Sequence, residues 1–183
     1  SSEAVDFALL KDGKLIELHK EQETSNFQVG DIFIAKIRKP VAGLNAAFVN
    51  VGYEKDAFLH YHDLGPNLAS QLKFIKLVSA GKIKDFSLKN FQFEKEIDKD
   101  GTITDVLNAN QSVLVQVVKE PISTKGPRIS AELSLAGRFI VLVPFSDRVS
   151  ISQKIEDKKE KDRLKKLVQS IKPKGFGVIV RTV

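Results

Sequence analysis

The stretch from Val29 to His60 constrains the fold most, because it places three β-type apolar runs within very little chain. Turn signals at Pro40, Gly43 and Gly52 separate the runs and leave short connections between them. Strands joined by such short connections pair as an antiparallel meander. The predicted strands are Ile32–Ile37, Ala46–Val51 and Ala57–Leu59.

Basic residues mark the first of these predicted strands, and aromatic residues mark the next two. Lys36, Arg38 and Lys39 lie on the first strand and at its exit, whereas Phe48 and Phe58 lie on the strands that follow. This combination is typical of a surface for single-stranded nucleic acid, because bases stack on rings and phosphates are attracted to cations. The alternative is that the rings are core residues. Since most strand phenylalanines are buried, the residues alone favour that alternative for at least one of the two.

Several longer motifs extend over nearly the whole sequence. They are Gly43–Gly52 (GLNAAFVNVG), Glu54–His60, Val115–Arg128, Ser134–Phe139 and Gly177–Thr182 (GVIVRT). In sequence and in order, these motifs resemble the ribonuclease E/G family. The resemblance implies an α+β, mainly β fold: a five-stranded S1-type OB barrel with a long insertion, followed by a small αβ 5′-sensor subdomain.

We expect three regions along the chain. Residues 1–27 form a β-hairpin around Asp12-Gly13, which in the family is part of an RNase H-like scaffold. Residues 28–131 form the OB domain, with an insertion at about 63–110, and residues 132–183 form the 5′-sensor subdomain.

The insertion has two predicted parts. Helical spacing of apolar residues predicts a helix within Asn67–Ser79. The following part, up to Gly101, mixes charges with Phe86, Phe91 and Phe93 and is expected to be a mobile loop, although an extra RNA clamp is an alternative.

The predicted sensor region contains strands around one helix. Phe139–Val143 and Gly177–Val183 read as strands, and Asp157 is the expected cap of a helix that ends before Pro173. The helix is expected to bury one apolar stripe, formed by Leu164, Leu167, Val168 and Ile171.

The resemblance places Lys125 on the RNA face with Phe48 and Phe58, beside Lys36 and Arg38 on the first strand. Without the resemblance, Lys125 would be interpreted as an ordinary solvated lysine in the loop between Pro121 and Pro127.

The 5′-phosphate-binding positions implied by the resemblance are Gly137, Val141, Arg181 and Thr182. A guanidinium binds two phosphate oxygens at once, and a threonine adds a hydroxyl and a backbone donor. A surface ion pair is the alternative for Arg181. Many relatives carry a basic pair where this chain has Gln153-Lys154, so we expect a weaker preference for the phosphorylated end.

Composition limits the other possibilities. Lysines and arginines number 29 against 23 acidic residues, and the net charge of +6 favours an anionic partner. The absence of cysteine excludes disulfides, thiolate zinc sites and cysteine nucleophiles within this sequence, and fits a reducing compartment. No apolar run approaches the roughly 20 residues of a membrane span, so we expect a cytoplasmic protein without membrane contact. The sequence has no methionine, even at residue 1, so we expect a segment of a longer chain.

The implied function is RNA binding and substrate recognition for an endoribonuclease. Its partner is single-stranded RNA with a 5′-monophosphate, in RNA processing or decay. The family cleaves with two Mg²⁺-binding aspartates in a domain that would follow Val183, and a structural zinc joins protomers of its homo-oligomer. We therefore expect no catalytic residue, metal ligand or cofactor in this chain, and no cleavage by it alone. A stand-alone OB-type RNA-binding module in ribosome assembly or translation is the alternative, and a protein-docking OB domain is a third hypothesis.

The run His60-Tyr61-His62-Asp63 is a further candidate. Two histidines beside a carboxylate suit a metal ion, but no third ligand is evident. A turn at the rim of the domain is the alternative interpretation.

Overall fold

The computed structural model describes residues 4–22, 27–84, 87–122 and 124–182. The described part is mainly β and contains a hairpin, a closed five-stranded barrel and a four-stranded sheet. No helix in it is long and apolar enough to cross a membrane.

The predicted N-terminal hairpin is confirmed. Asp12 and Gly13 both have positive φ, 50° and 74°, which is the backbone shape of the tight turn that matches strand twist. All the described side chains of the hairpin, residues 8–18, are exposed. The strands are β1 (Ala4–Lys11) and β2 (Lys14–Gln22), paired antiparallel.

The barrel has the strand order of an OB fold. Counted within the barrel, its strands follow the order 1-2-3-5-4 and close on the first, so the predicted meander is confirmed. The sequence also predicts Arg128–Ser130 as the closing strand of the barrel, and these residues do form a strand. The first strand continues through Pro40 to Val41, beyond the predicted end. The barrel strands are β3 (Ile32–Val41), β4 (Ala46–Asn50), β5 (Ala57–His60), β6 (Ser112–Lys119) and β7 (Arg128–Ser130).

Side chains alternate between the barrel interior and its outer face. Val49, Leu59 and Ile129 are fully buried, whereas Phe48 and Arg128, their chain neighbours, face outward. This period of two is what a closed β-barrel requires, since each strand has one face toward the core.

The insertion packs against both the barrel and the second sheet. Its helices are α1 (Leu68–Ser79), which confirms the predicted helix, and α2 (Ile103–Val106). The buried Gln71 side chain donates to the Ala131 carbonyl at 3.0 Å and accepts from the Leu114 amide at 3.1 Å, so it ties α1 to the barrel.

The second part of the insertion forms a loop, but this loop is packed. The Phe91 ring contacts the rings of Phe74 and Phe145 at centroid distances of 5.6 and 6.3 Å. Arg148 also pairs with Glu96 at 2.6 Å. Residues 87–101 are therefore held between the barrel and the second sheet, whereas a mobile loop was expected. Phe86 lies outside the described residues.

The second sheet confirms the predicted αβ organisation. The Asp157 side chain accepts from the Lys159 amide at 2.9 Å and caps the helix as predicted. The predicted apolar stripe is only partly right, because Val168 is buried while Leu167 and Ile171 are exposed. The elements of this region, in chain order, are β8 (Leu135–Ala136), β9 (Ile140–Pro144), β10 (Val149–Ile151), α3 (Lys158–Ile171) and β11 (Phe176–Val180). The four strands lie in the sheet in the order β10-β11-β9-β8.

Candidate nucleic-acid interface

A continuous row of cations and aromatic rings crosses the outer face of the barrel. Each member is the registered partner of the next across β3, β4, β5, β7 and β6. All are exposed or half-buried. We call this set the cross-strand row, and it consists of Lys39, Phe48, Phe58, Arg128 and Lys119.

The two rings at the centre of the row lie outside the core. Phe48 is 37% exposed and Phe58 is half-buried, and their centroids are 6.1 Å apart in an edge-to-face arrangement. The expectation that at least one would be a core residue is therefore wrong. Strand alternation explains this, because Ala57 and Leu59 fill the interior on either side of Phe58.

The loop that carries Lys125 lies beside Phe58. The Phe58 amide donates to the Pro127 carbonyl at 3.0 Å, which holds the loop against β5. Gly126 permits this approach, because a Cβ at that position would collide with the Asp56 carbonyl oxygen. Lys125 is exposed, and its own amide donates to the Ile122 carbonyl at 3.0 Å. The backbone of Lys125 is thus held in a loop that is attached to β5 at Phe58.

The two predicted cations on β3 have different surroundings. Lys36 is exposed and pairs in register with Asn50, next to the cross-strand row. The Arg38 Nε atom lies 3.0 Å from Asp56 Oδ1, so part of its charge is compensated. The strand has an irregularity between Ile37 and Lys39, which turns Lys39 rather than Arg38 toward Phe48.

The four predicted 5′-phosphate-binding residues cluster at one end of the second sheet. The Gly137 amide donates to the Ile140 carbonyl at 2.8 Å and closes a tight turn between β8 and β9. The Arg181 amide donates to the Phe139 carbonyl at 2.8 Å, which brings the end of β11 beside that turn. Val141 pairs with Ile179 one step further into the sheet. The Arg181 side chain is exposed, and the half-buried Thr182 follows it.

The sequence of this chain is similar to those of proteins named as ribonucleases. Residues 134–183 match the sequence model of the Ribonuclease E/G family. The chain is 37% identical over 160 residues to Ribonuclease E of Nostoc sp.. The aligned region covers 87% of this chain and 19% of that protein. This chain is homologous to the ribonuclease E/G family.

Two further relatives are also named Ribonuclease G or Ribonuclease E. Ribonuclease G of Escherichia coli is 33% identical over 175 residues, covering 96% of this chain and 32% of that protein. Ribonuclease E of Synechocystis sp. is 36% identical over 160 residues, covering 87% of this chain and 20% of that protein. The chain thus spans about a fifth to a third of the length of these ribonuclease E/G relatives.

Three residues of the cross-strand row were missing from the predicted site of this ribonuclease E/G homologue. Lys39, Lys119 and Arg128 join the row only through strand register, which local sequence does not give. The Arg128 guanidinium donates from Nε and Nη2 to Asp63 Oδ2 at 3.0 and 2.8 Å. The available signal for Arg128 was its position at the start of the predicted closing strand.

Arg138, at the same end of the second sheet as Arg181, was not among the predicted site residues. Its guanidinium lies 5.2 Å from the Phe139 ring centroid, within the turn that follows Gly137.

The described residues contain no group of three or more histidine, cysteine, aspartate or glutamate side chains placed to hold a metal ion.

Proposed function

We propose that this chain is the RNA-binding and substrate-recognition region of a ribonuclease E/G-type endoribonuclease that acts on single-stranded RNA. The observation that carries the proposal is the cross-strand row, in which two outward-facing rings lie between cations on the outer face of an OB barrel. Homology to proteins named Ribonuclease E and Ribonuclease G supports RNA as the ligand.

The rings and cations have separate tasks in this proposal. Unpaired bases stack on Phe48 and Phe58, and this contact tolerates any base because every base has a π-face. Phosphates lie toward Lys39, Lys36 and Lys125, whose side chains are exposed. Affinity then falls as salt rises, since neutralised phosphates release counterions.

The second sheet is proposed to bind the 5′-monophosphate end of the same kind of RNA. The Arg181 guanidinium and the Thr182 hydroxyl are the side-chain donors, and the turn at Gly137 lies beside them. Val141, which pairs with Ile179, is the apolar residue one step further into the sheet. A guanidinium and a hydroxyl on neighbouring residues suit a terminal phosphate, which carries more charge than a phosphodiester.

Cleavage is not assigned to residues of this chain. By family resemblance, we propose that a longer form cleaves RNA with Mg²⁺ and forms a homo-oligomer joined by a structural zinc ion, in the bacterial cytoplasm. No residue of the 183 is assigned to either metal. RNA processing or decay is the proposed setting.

The Phe58→Ala variant tests the proposed RNA face. Loss of one stacking ring costs about 1–3 kcal/mol, so the dissociation constant should rise about fivefold or more. Phe58 lies outside the core, so the variant should remain folded. The measurement is fluorescence anisotropy of wild type and variant with a labelled oligoribonucleotide of roughly 10 nucleotides, within the range of OB site sizes.

Phe93→Ala is the matched control, because Phe93 has the same 37% exposure as Phe48 but lies in the insertion. It should bind RNA as the wild type does. Unchanged RNA affinity in a folded Phe58→Ala variant would remove the barrel face from the site. Absence of salt-dependent RNA binding by the wild type would favour a protein-docking domain.

A further inference from the structure

The line of rings on the barrel does not end at Phe58. Along β5 and the turn after it, the ring of His60 lies 6.4 Å from that of Phe58, and the ring of His62 lies 5.0 Å from that of His60. Both of these ring pairs are tilted by 36°. Four rings therefore follow one another without a gap: Phe48, Phe58, His60 and His62.

Two hydrogen bonds hold the end of β5 and the turn after it, where these two histidines lie. His60 Nδ1 accepts a hydrogen bond from the His62 amide at 3.2 Å, which caps the short 3₁₀ turn Tyr61–Asp63. Tyr61 points inward and donates its hydroxyl proton to the Asp98 carbonyl at 2.6 Å. Because Tyr61 anchors the turn in the core, the rings on either side of it are held outside. His60 is half-buried and His62 is exposed.

The charges around these rings do not oppose an anionic ligand. Asp63 follows His62 directly, but its Oδ2 atom accepts from both Nε and Nη2 of Arg128 at 3.0 and 2.8 Å. This pair offsets the carboxylate nearest to the last ring. Arg128 is also the registered partner of Phe58, so the same cation belongs to the cross-strand row.

A metal site at the two histidines has less support than a stacking site. A structural zinc site needs about four ligands, and the described residues supply no group of three or more suitable side chains. Histidine rings are, however, among the side chains on which unpaired RNA bases stack.

We propose that His60 and His62 extend the base-stacking surface, so that the barrel holds a run of consecutive unpaired bases along Phe48, Phe58, His60 and His62. This inference rests on the proposed function, because it takes RNA as the ligand of the barrel face. It assigns to the His-Tyr-His turn a role in setting how many bases are bound. The required ligand is single-stranded RNA without base pairing over this run.

Three variants test the extension with labelled oligouridylates spanning roughly 4–16 nucleotides, the range of OB site sizes. His62→Ala should weaken binding of the longer oligomers about fivefold, as expected for the loss of one stacked base. A dinucleotide should bind the variant and the wild type equally, because its bases fit on Phe48 and Phe58 alone. His62→Phe keeps a ring and should keep the affinity.

His60→Asn removes the inner ring while leaving a side-chain oxygen that can cap the turn. It should weaken binding by a similar factor and melt at nearly the wild-type temperature. If this variant fails to fold, the two His62 variants still decide the question, because His62 is exposed. Phe93→Ala again serves as the control with an unrelated exposed ring.

The failures of the two proposals can be told apart. If Phe58→Ala weakens binding but His62→Ala binds long oligomers like the wild type, the stacking run ends at Phe58 and the extension is overturned while the RNA face stands. If His62→Phe loses as much affinity as His62→Ala, stacking is overturned as the role of this side chain. If Phe58→Ala also binds like the wild type, the proposed RNA face itself is wrong.

Discussion

Tyr61 is the residue that joins the core of the barrel to its outer face. Its side chain is 3% exposed, and its hydroxyl bonds to a carbonyl of the insertion, that of Asp98. Gly101 leaves room for this hydroxyl, because a Cβ there would collide with it. Burial raises the pKa of the Tyr61 phenol above its ordinary value of 10.0, and the negative charge of Asp98 adds to this.

We expect Tyr61→Phe to lower the free energy of unfolding by about 1 kcal/mol at neutral pH, because the hydrogen bond to Asp98 is lost. The folded protein retains the phenol proton more tightly than the unfolded chain. Its contribution to stability is therefore full below pH 10.0, the ordinary pKa, and is lost as the pH rises through the folded-state pKa. The difference between wild type and variant should shrink in that alkaline range.

The measurement is urea unfolding of both proteins at neutral and alkaline pH, followed by circular dichroism. Lysines also titrate in this range, but they are common to both proteins and cancel in the comparison. A difference that stays constant from neutral to alkaline pH would contradict the proposed burial of the phenol.

The individual site residues differ in how far the sequence could predict them. Phe48, Phe58 and Lys125 were predicted as candidate site residues because family motifs mark them. Lys39 was noted only as part of a basic run, because the strand irregularity that turns it toward Phe48 leaves no local signal. The outward orientation of Phe58 was predicted from the resemblance and not from strand alternation, although the buried Ala57 and Leu59 on either side of it carried the information.

At the scale of elements, periodicity was a good guide wherever contacts are local. It predicted α1, α3 and the barrel strands, since each buries one face at its own period. It did not predict the packing of the insertion, in which Phe91 contacts Phe145 from a distant part of the chain. It also overestimated the buried face of α3, because only the part of the helix around Val168 packs on the sheet.

The prediction at the scale of elements concerns binding of the RNA 5′ end at the end of β11 and the turn after β8. A 5′-monophosphate should compete for binding better than a 5′-hydroxyl, but by less than about tenfold, which is about 1.4 kcal/mol. The preference is small because Arg181 lies past the last residue of β11 and because Gln153-Lys154 replaces the basic pair of many relatives. Arg181→Ala should abolish it.

The measurement is competition among otherwise identical RNAs with monophosphate, hydroxyl or triphosphate ends, repeated at several salt concentrations to remove nonspecific attraction. Arg163→Ala is the control, because Arg163 is an exposed arginine of the same region that pairs with Glu160 on α3. Equal competition by all three ends in the wild type would contradict the assignment of this site.

At the scale of the whole molecule, two polar side chains connect the parts that the proposed function needs. Gln116, on β6, donates to the carbonyls of Gly30 and Ser134 at 3.0 and 2.9 Å and accepts from the Ser134 amide at 2.9 Å. Gln71 makes a similar link from α1. The barrel is thereby tied to the chain that enters the second sheet. The order of these parts could be predicted from the sequence, but the two glutamine contacts could not. In each, a buried side-chain amide bonds to backbone groups that are distant in the sequence.

The hairpin of β1 and β2 contrasts with these connected parts. Its large apolar side chains within residues 8–18 are 57–61% exposed, so they add little burial to the barrel or to the second sheet. An exposed apolar hairpin also favours association between chains. These side chains are Leu9, Leu10, Leu15, Ile16 and Leu18.

We therefore expect a chain beginning at Phe27 to unfold with a free energy within about 0.5 kcal/mol of the full sequence, as for changes at surface positions. Phe27 is kept because its ring packs on Phe33 and Tyr53 in the barrel core. RNA affinity should be unchanged, and concentration-dependent association, measured by sedimentation velocity, should decrease.

In the full chain, the double substitution Leu10→Lys and Ile16→Lys should reduce association in the same way without a change in melting temperature. A marked loss of stability in the shortened chain would show instead that the hairpin packs on the rest of the molecule.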